Sequence, residues 1–87
     1  MFFVYAISSL SANYIYVGLI DDIKRRINQH NSGYERTTRP YAPFKLLLTE
    51  TFPDRMSARL REKYYKTAAG KSKLRKLRNN DGAGLPA

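Results

Sequence analysis

Three short runs of apolar residues predict β-strands. The first two, residues 2–7 and 14–19, are rich in aromatic and β-branched side chains, and a polar segment of small residues joins them, as in a hairpin. The third run, residues 44–52, has three successive leucines at its centre. Strand alternation places Tyr5 on one face of the first strand and Tyr16 on one face of the second. Because alternation does not set the hairpin register, it leaves open whether the two tyrosines share a face of the sheet.

Helical periodicity follows the second strand. Asp21 and Asp22 suit the N-cap or first turn of a helix that runs to about residue 31, and Gly33 is a suitable residue to stop it. The inward stripe of this helix consists of Ile23, Arg26, Ile27 and His30. An arginine and the only histidine of the chain therefore share a face with the isoleucines that should anchor the helix. Either the arginine extends along the isoleucines to solvent, or the pair has a chemical role.

A second helix is predicted over residues 53–69, with Gly70 at its end. Two stripes run along this helix: the first is Met56, Leu60 and Tyr64, and the second is Ala58, Tyr65 and Ala69, with Glu62 among them. Periodicity leaves open which stripe meets the sheet. If it is the second, Glu62 points inward and needs a partner. A short basic helix over residues 71–78 and a frayed tail over residues 79–87 complete the pattern.

The charge balance points to a polyanionic partner. The 87 residues include 16 Lys+Arg and 7 Asp+Glu, for a net charge of +9, and 43% of them are hydrophobic, which is enough for a folded core. A folded domain of this basicity favours phosphate-rich partners. The absence of cysteine excludes a disulfide scaffold and a thiolate zinc site. The longest apolar run is too short to span a bilayer, so we expect a cytoplasmic protein with no membrane partner.

One carboxylate interrupts the most basic part of the chain. Residues 55–78 hold ten of the sixteen basic residues, namely Arg55, Arg59, Arg61, Lys63, Lys66, Lys71, Lys73, Arg75, Lys76 and Arg78. Glu62 is the single acid in that stretch, and a lone acid does not help a basic surface to bind phosphate. Either Glu62 pairs with a neighbour such as Lys66, one helical turn on, or it has another role, such as holding a metal ion.

Most catalytic motifs are absent from the sequence. It contains no glycine-rich phosphate loop, no set of residues with zinc-ligand spacing, no nucleophile elbow and no paired inward carboxylates. What remains is two strand tyrosines, an inward arginine and histidine, and one isolated glutamate. That collection suits phosphodiester hydrolysis, because Mg²⁺ needs only one or two protein carboxylates beside phosphate and water oxygens. An arginine can neutralise charge on the phosphate, and a tyrosine or histidine can relay a proton.

In the order and spacing of these residues, the sequence resembles the GIY-YIG nuclease family. Residues 3–5, Phe-Val-Tyr, stand where the family has Gly-Ile-Tyr, and residues 16–18, Tyr-Val-Gly, stand where it has Tyr-Ile-Gly. Arg26 follows Tyr16 by ten residues and His30 comes four later, which is the family's spacing across its first helix. Glu62 lies where the family places its metal-binding glutamate. The resemblance covers about residues 2–70 and is strongest to the small stand-alone bacterial members.

The resemblance implies a small α/β domain of the α+β type, with a three-stranded, mainly antiparallel sheet flanked by helices, over residues 1–80. Residues 81–87 would form a flexible C-terminal tail. Phe3 replaces the first glycine of the motif, but the tyrosine is kept, so we expect the strand to survive. The implied catalytic set is Tyr5, Tyr16, Arg26, His30 and Glu62.

The family mechanism assigns a role to each of these groups. Glu62 holds one Mg²⁺ or Mn²⁺ ion. Tyr16, helped by Tyr5 or His30, accepts the proton of the attacking water, while Arg26 and the metal stabilise developing charge. Without the resemblance, both tyrosines would be interpreted as packing residues of a sheet, and His30 as a helix-end residue favoured by the dipole.

The functional hypothesis is a metal-dependent endonuclease that acts on DNA in preference to RNA, in repair, recombination or processing. We expect it to be structure-selective or guided by a partner, with a homodimer or a second protein supplying specificity. Residues expected to contact nucleic acid are Lys24, Arg25, Arg36, Arg39, Lys63, Lys66, Lys71, Lys73, Arg75 and Lys76. The alternatives are a non-catalytic nucleic-acid-binding module on the same scaffold and a basic structural protein of a ribonucleoprotein particle.

Overall fold

Three antiparallel strands and three α-helices make up residues 1–83, the part of the chain that the computed structural model describes, with side chains to residue 79. The strands are β1 (Phe2–Ser9), β2 (Ile15–Ile20) and β3 (Phe44–Phe52), in the spatial order β2-β1-β3. The helices are α1 (Ile23–Asn31), α2 (Arg55–Tyr65) and α3 (Ala68–Ala83), and a 3₁₀ turn, Arg39–Tyr41, precedes β3. The predicted α+β class is confirmed, and Phe3 does not interrupt β1.

The central strand β1 packs helices on both of its faces. On one face, Val4 and Ala6 pack against Ala58 and Tyr65 of α2 and Leu74 of α3. Since side chains alternate along a strand, the residues between them point to the other face. That second face carries a cluster that contains Tyr5, Ile7, Phe44, Tyr16, Ile23 and Ile27. The sheet therefore separates α1 from the α2–α3 pair.

The register of the β1–β2 hairpin places the two motif tyrosines on the same face. Tyr5 lies opposite Gly18, and Ile7 lies opposite Tyr16. The Tyr5 ring occupies the space above Gly18, where a Cβ atom would lie 2.6 Å from the Tyr5 Cζ atom. Only glycine leaves room for that ring, so the close approach explains why the second motif ends in glycine.

Local capping signals set the ends of the first two helices. The Asp22 side chain accepts a hydrogen bond from the Arg25 backbone N–H at 3.2 Å, and the Asp54 side chain accepts one from Ser57 at 2.8 Å. Both contacts satisfy N–H groups that have no partner inside the helix. Gly33 follows α1 with a φ of +77°, which glycine adopts without steric cost. These starts and this stop confirm the sequence-based expectation.

The predicted role of Gly70 was wrong. Helix α2 ends at Tyr65, the next helix begins at Ala68, and Gly70 is buried within the first turn of α3. There it packs on the end of α2, since a Cβ atom at position 70 would lie 2.5 Å from the Cα atom of Tyr65. The glycine permits two helices to touch rather than ending one. Periodicity cannot distinguish these uses of glycine, because both follow a helical pattern.

Helix α3 also extends beyond its predicted bounds, from Ala68 to Ala83 rather than over residues 71–78. It crosses the expected boundary between the domain and the tail. Residues 84–87 lie outside the described residues, so the flexible tail over 81–87 stays a prediction. No helix in the described part of the chain has the length and apolar character needed to cross a membrane.

Candidate active site

A buried tyrosine and a buried histidine form the centre of the candidate site, on the face of the sheet that α1 covers. Tyr5 is 1% exposed and His30 is fully buried. The Tyr5 hydroxyl lies 3.0 Å from the His30 Nε2 atom, and the Arg26 Nε–H group donates to the same hydroxyl at 3.3 Å. The sequence prediction that Arg26 and His30 face inward is therefore met, and both contact the tyrosine of the first motif.

The hydrogen bonds of this cluster hold both nitrogens of the His30 imidazole. A guanidinium can only donate, so the Tyr5 oxygen accepts from Arg26, and the same hydroxyl shares a hydrogen bond with His30 Nε2. The His30 Nδ1 atom shares a hydrogen bond with the Thr38 Oγ1 atom at 2.8 Å. The chain Arg26–Tyr5–His30–Thr38 therefore fixes the orientation of the imidazole ring.

The protonation of the cluster follows from its burial. Burial raises the pKa of Tyr5 to about 12, even though the Arg26 hydrogen bond opposes this shift. Burial, together with the Arg26 charge, lowers the pKa of His30 below its ordinary value. At neutral pH both groups are therefore uncharged. Through these two hydrogen bonds Tyr5 forms a bridge between Arg26 and His30.

Two residues that the sequence reasoning missed fix the Arg26 guanidinium. Its Nη2 atom lies 2.7 Å from the Glu35 Oε2 atom, and its Nη1–H group donates to the Gln29 Oε1 atom at 3.2 Å. Two features of the sequence pointed to these partners. Gln29 lies three residues after Arg26, one helical turn on, and Glu35 is the only acid between Asp22 and Glu50. With Tyr5 on Nε, every nitrogen of the guanidinium has a partner.

Tyr16 is the tyrosine of the cluster that can meet a ligand. Its half-buried ring has its centroid 5.0 Å from that of His30 and 6.2 Å from that of Tyr5. Within the described residues, the Tyr16 hydroxyl has no hydrogen-bond partner. The two tyrosines therefore differ in kind: Tyr5 is enclosed in a hydrogen-bond network, and Tyr16 offers an open hydroxyl beside it.

Glu62 lies on α2, which packs on the face of the sheet opposite α1. Its side chain is only 13% exposed, with Lys66 Nζ 3.2 Å from one carboxylate oxygen and Arg59 Nη1 3.8 Å from the other. The salt-bridge alternative considered for this residue is thus present. The stripe of α2 that meets the sheet is the one with Ala58 and Tyr65.

A metal at Glu62 would depend on few protein ligands. No cluster of three or more His, Cys, Asp or Glu side chains occurs among the described residues. One carboxylate still fits a hard cation such as Mg²⁺, which completes its shell with water and phosphate oxygens. The donor set therefore suits Mg²⁺ or Mn²⁺ brought in with a phosphate-bearing ligand, once Lys66 and Arg59 release the carboxylate oxygens.

A second polar network, also missed by sequence reasoning, joins β3 to α2. The Glu50 carboxylate accepts two hydrogen bonds from Arg61, at 2.7 and 3.3 Å, and a short one from the Tyr65 hydroxyl. Burial would raise the pKa of Glu50, but the bonds from Arg61 and Tyr65 outweigh it and hold that pKa below its ordinary value. The network satisfies the polar end of a buried tyrosine, so we assign it to the fold.

The predicted nucleic-acid contacts divide into two groups. Lys66, Lys71 and Arg75 line a groove of about 450 Å³ beside β2, together with Tyr16 and a cation absent from the prediction, Arg78. The others are spread over the surface: Lys24 and Arg25 on α1, Arg36 and Arg39 in the loop after it, Lys63 on α2, and Lys73 and Lys76 on α3.

Comparisons with known proteins bear on this arrangement. The family model described as the GIY-YIG catalytic domain matches residues 1–77. The chain belongs to the GIY-YIG family. A UPF0213 protein of Streptococcus agalactiae serotype V is 38% identical over 61 residues, 69% of each chain. The UPF0213 protein in the ldhD 5' region of Pediococcus acidilactici is 34% identical over 70 residues, 76% of this chain and 70% of the relative.

A solved structure also resembles the chain. It is the solution NMR structure of the UPF0213 protein BH0048 from Bacillus halodurans, with 32% identity and a TM-score of 0.52. The match covers 88% of this chain and 85% of the other. The chain is thus a small GIY-YIG domain of the UPF0213 type. GIY-YIG domains are nuclease domains that act on nucleic acid and generally depend on a divalent metal.

The buried, hydrogen-bonded cluster of Tyr5, Arg26, His30 and Thr38 should make the stability of the fold sensitive to mild acid. The folded chain holds His30 neutral with a lowered pKa, so below the ordinary value of 6.5 the unfolded chain binds the proton more readily. The free energy of unfolding should be at its full value above about pH 6.5. Below it, the value should fall by up to about 1.4 kcal/mol per pH unit until the folded pKa is reached.

Urea unfolding at a series of pH values from about 8 to about 5 measures this slope, above the range in which most carboxylates titrate. His30→Gln is the matched variant, because its amide does not titrate there. An equal slope in His30→Gln and in the unchanged chain would contradict the assignment.

Proposed function

We propose that this chain is a divalent-metal-dependent endonuclease that hydrolyses phosphodiester bonds in DNA. The observation that carries the proposal is the fixed position of the Arg26 guanidinium, which contacts Tyr5, Gln29 and Glu35. Tyr5 in turn contacts the ring of Tyr16, whose hydroxyl has no partner among the described residues. A guanidinium held in this way is preorganised to bind a phosphate and to stabilise charge as the bond breaks.

Arg26, Tyr16 and Glu62 have separate roles in the proposed hydrolysis. Arg26 binds a non-bridging phosphate oxygen in exchange for Glu35. Tyr16 orients a water by accepting its hydrogen bond, and the neighbouring His30 and Tyr5 are uncharged at neutral pH. Glu62 would hold Mg²⁺ or Mn²⁺, and a bound ion supplies stabilisation of charge at the leaving oxygen.

The biological setting is part of the proposal. We place the activity in DNA repair, recombination or processing, in the cytoplasm and at the nucleoid of a bacterium. A domain of 87 residues has little surface for reading base sequence, so DNA structure, a homodimer or a partner protein would direct it. DNA is favoured over RNA as the substrate.

A cleavage assay tests the proposal. A panel of single-stranded, duplex, flap, fork and four-way DNA, with RNA beside it, is incubated with Mg²⁺ or Mn²⁺ and, separately, with EDTA. We expect metal-dependent cutting of at least one DNA substrate, with a loss of about 10²-fold or more in Glu62→Gln. Asp21→Asn removes one carboxylate charge from an exposed position outside the site, and this control should cut at the unchanged rate.

One observation favours a second candidate, a non-catalytic nucleic-acid-binding module. Glu62 is on α2, which packs on the face of the sheet opposite the α1 helix that carries Arg26. Its two carboxylate oxygens contact Arg59 and Lys66. A binding module predicts affinity that falls steeply with salt and no turnover in either metal. That outcome, obtained with folded protein, would replace the nuclease proposal.

A further inference from the structure

The groove beside β2 has an apolar floor between two different walls. Its floor is apolar and comes from Val17, Tyr65 and Leu74. One wall is the outer edge of β2, an edge strand of the sheet, and the end of the loop before it, with Asn13, Tyr14, Ile15 and Tyr16. The other wall is basic and comes from Lys66, Lys71, Arg75 and Arg78. We name this the β2–α3 groove.

The basic wall has a regular spacing. Lys71, Arg75 and Arg78 follow one another at i, i+4 and i+7, so they share one face of α3. Four residues of helix rise about 6 Å, which is close to the separation of successive phosphates along an extended strand. Neither Lys71 nor Arg75 has a carboxylate partner among the described residues. These charges are therefore available to a polyanion.

The size of the groove restricts what can enter. A volume of about 450 Å³ holds one or two nucleotides. A B-form duplex, whose major groove alone is about 12 Å wide, cannot lie inside it. Arg78 further narrows one end, because its Nη1–H group donates to the Asn13 Oδ1 atom at 2.6 Å across the groove. A single strand is the polyanion that fits.

The opposite wall suits the bases of such a strand. The apolar floor and Ile15, which packs against the same cluster, offer surface to base rings, and contact of this kind does not depend on base sequence. The outward backbone groups of β2 are not used by the sheet, since β1 pairs only with its inner edge. Phosphates on the α3 side and bases on the β2 side would therefore both find partners.

Tyr16 connects the groove to the candidate active site. It borders the groove from the edge strand β2, while its ring packs in the cluster on the α1 face, 5.0 Å from the His30 ring by centroid distance. We infer that the β2–α3 groove binds an unpaired DNA strand, with phosphates on Lys71 and Arg75, and delivers it to Tyr16. This inference rests on the proposed function and names its substrate class, which is DNA with a single-stranded segment.

Binding can be measured without cleavage, in EDTA, by fluorescence anisotropy on a labelled oligothymidylate and on a duplex of the same length. We expect the single strand to bind about tenfold more tightly than the duplex at equal salt. Lys71→Gln/Arg75→Gln should weaken single-strand binding about tenfold and lower the salt slope by about 1.4, for two phosphate contacts at about 0.7 each. The variant's melting temperature should match that of the unchanged chain.

The matched control is Lys45→Gln/Arg55→Gln, which removes the same charge from exposed positions outside the groove. An equal loss of affinity in both double variants would overturn the inference, because net charge alone would then explain binding. So would preference for the duplex. A chain that binds single strands through Lys71 and Arg75 but never cuts would refute the proposed nuclease and leave the groove assignment standing.

Discussion

Arg26→Ala is expected to lower kcat for DNA cleavage by about 10²- to 10³-fold, the usual cost of removing one preorganised donor from a transition state. Affinity for DNA should change little, because Arg26 is one of sixteen basic residues and its charge is already balanced by Glu35. Single-turnover rates at saturating protein, beside binding in EDTA, separate the two effects.

The conservative variant sharpens this test. Arg26→Lys keeps the charge, but an ammonium on a flexible stem cannot reach Tyr5, Gln29 and Glu35 in the fixed directions of a guanidinium. We therefore expect it to recover little of the lost rate. Arg25→Ala removes the neighbouring exposed cation and should act on affinity alone. If Arg26→Lys cleaved DNA at the full rate, positive charge alone would suffice and the fixed geometry of the guanidinium would have no catalytic role.

Gly70→Ala is expected to destabilise the fold by about 3 kcal/mol or more. Helix propensity alone predicts the opposite sign, since alanine is better than glycine in a helix by about 1 kcal/mol. The added methyl group, however, would lie 2.5 Å from the Tyr65 Cα atom and closer still to the Tyr64 carbonyl oxygen. These are backbone atoms, so the two helices must move apart to admit it.

Urea unfolding of the purified variant, followed by circular dichroism, measures this loss. Ala69→Gly is the matched control at the exposed neighbouring position, where only the propensity cost of about 1 kcal/mol should appear. If Gly70→Ala unfolds at a higher urea concentration than the unchanged chain, position 70 is an ordinary helix site and the close contact between α2 and α3 is not a feature of the fold.

The sequence predicted the parts of the fold that depend on neighbouring residues. All three strands, the start of α1 at Asp22, its stop at Gly33 and the start of α2 at Asp54 follow from alternation, periodicity and capping, which act within one helical turn or one strand. Arg26 and His30 share the inward face of α1 as their spacing predicted, and they meet Tyr5 as the family resemblance implied.

Contacts between residues far apart in the sequence could not be predicted in the same way. The partners Thr38 and Glu35 come from a loop without periodicity, and the contact of Gly70 with α2 exists only after two helices have packed. The hairpin register depends on which residues face each other across strands. The place of Glu62 in a catalytic arrangement stays a prediction, since on α2 it contacts Lys66 and Arg59.

The fit of the Tyr5 ring over Gly18 has a consequence for how the hairpin aligns. If β2 slipped by one residue, its side chains would change faces, and the tyrosine would meet Val17 or Leu19. If it slipped by two, the ring would lie against Tyr16 or Ile20, and each has the Cβ atom that the ring excludes. Gly18 thus selects a single register of the hairpin. In that register Tyr5 of β1, Tyr16 of β2 and His30 of α1 lie next to one another.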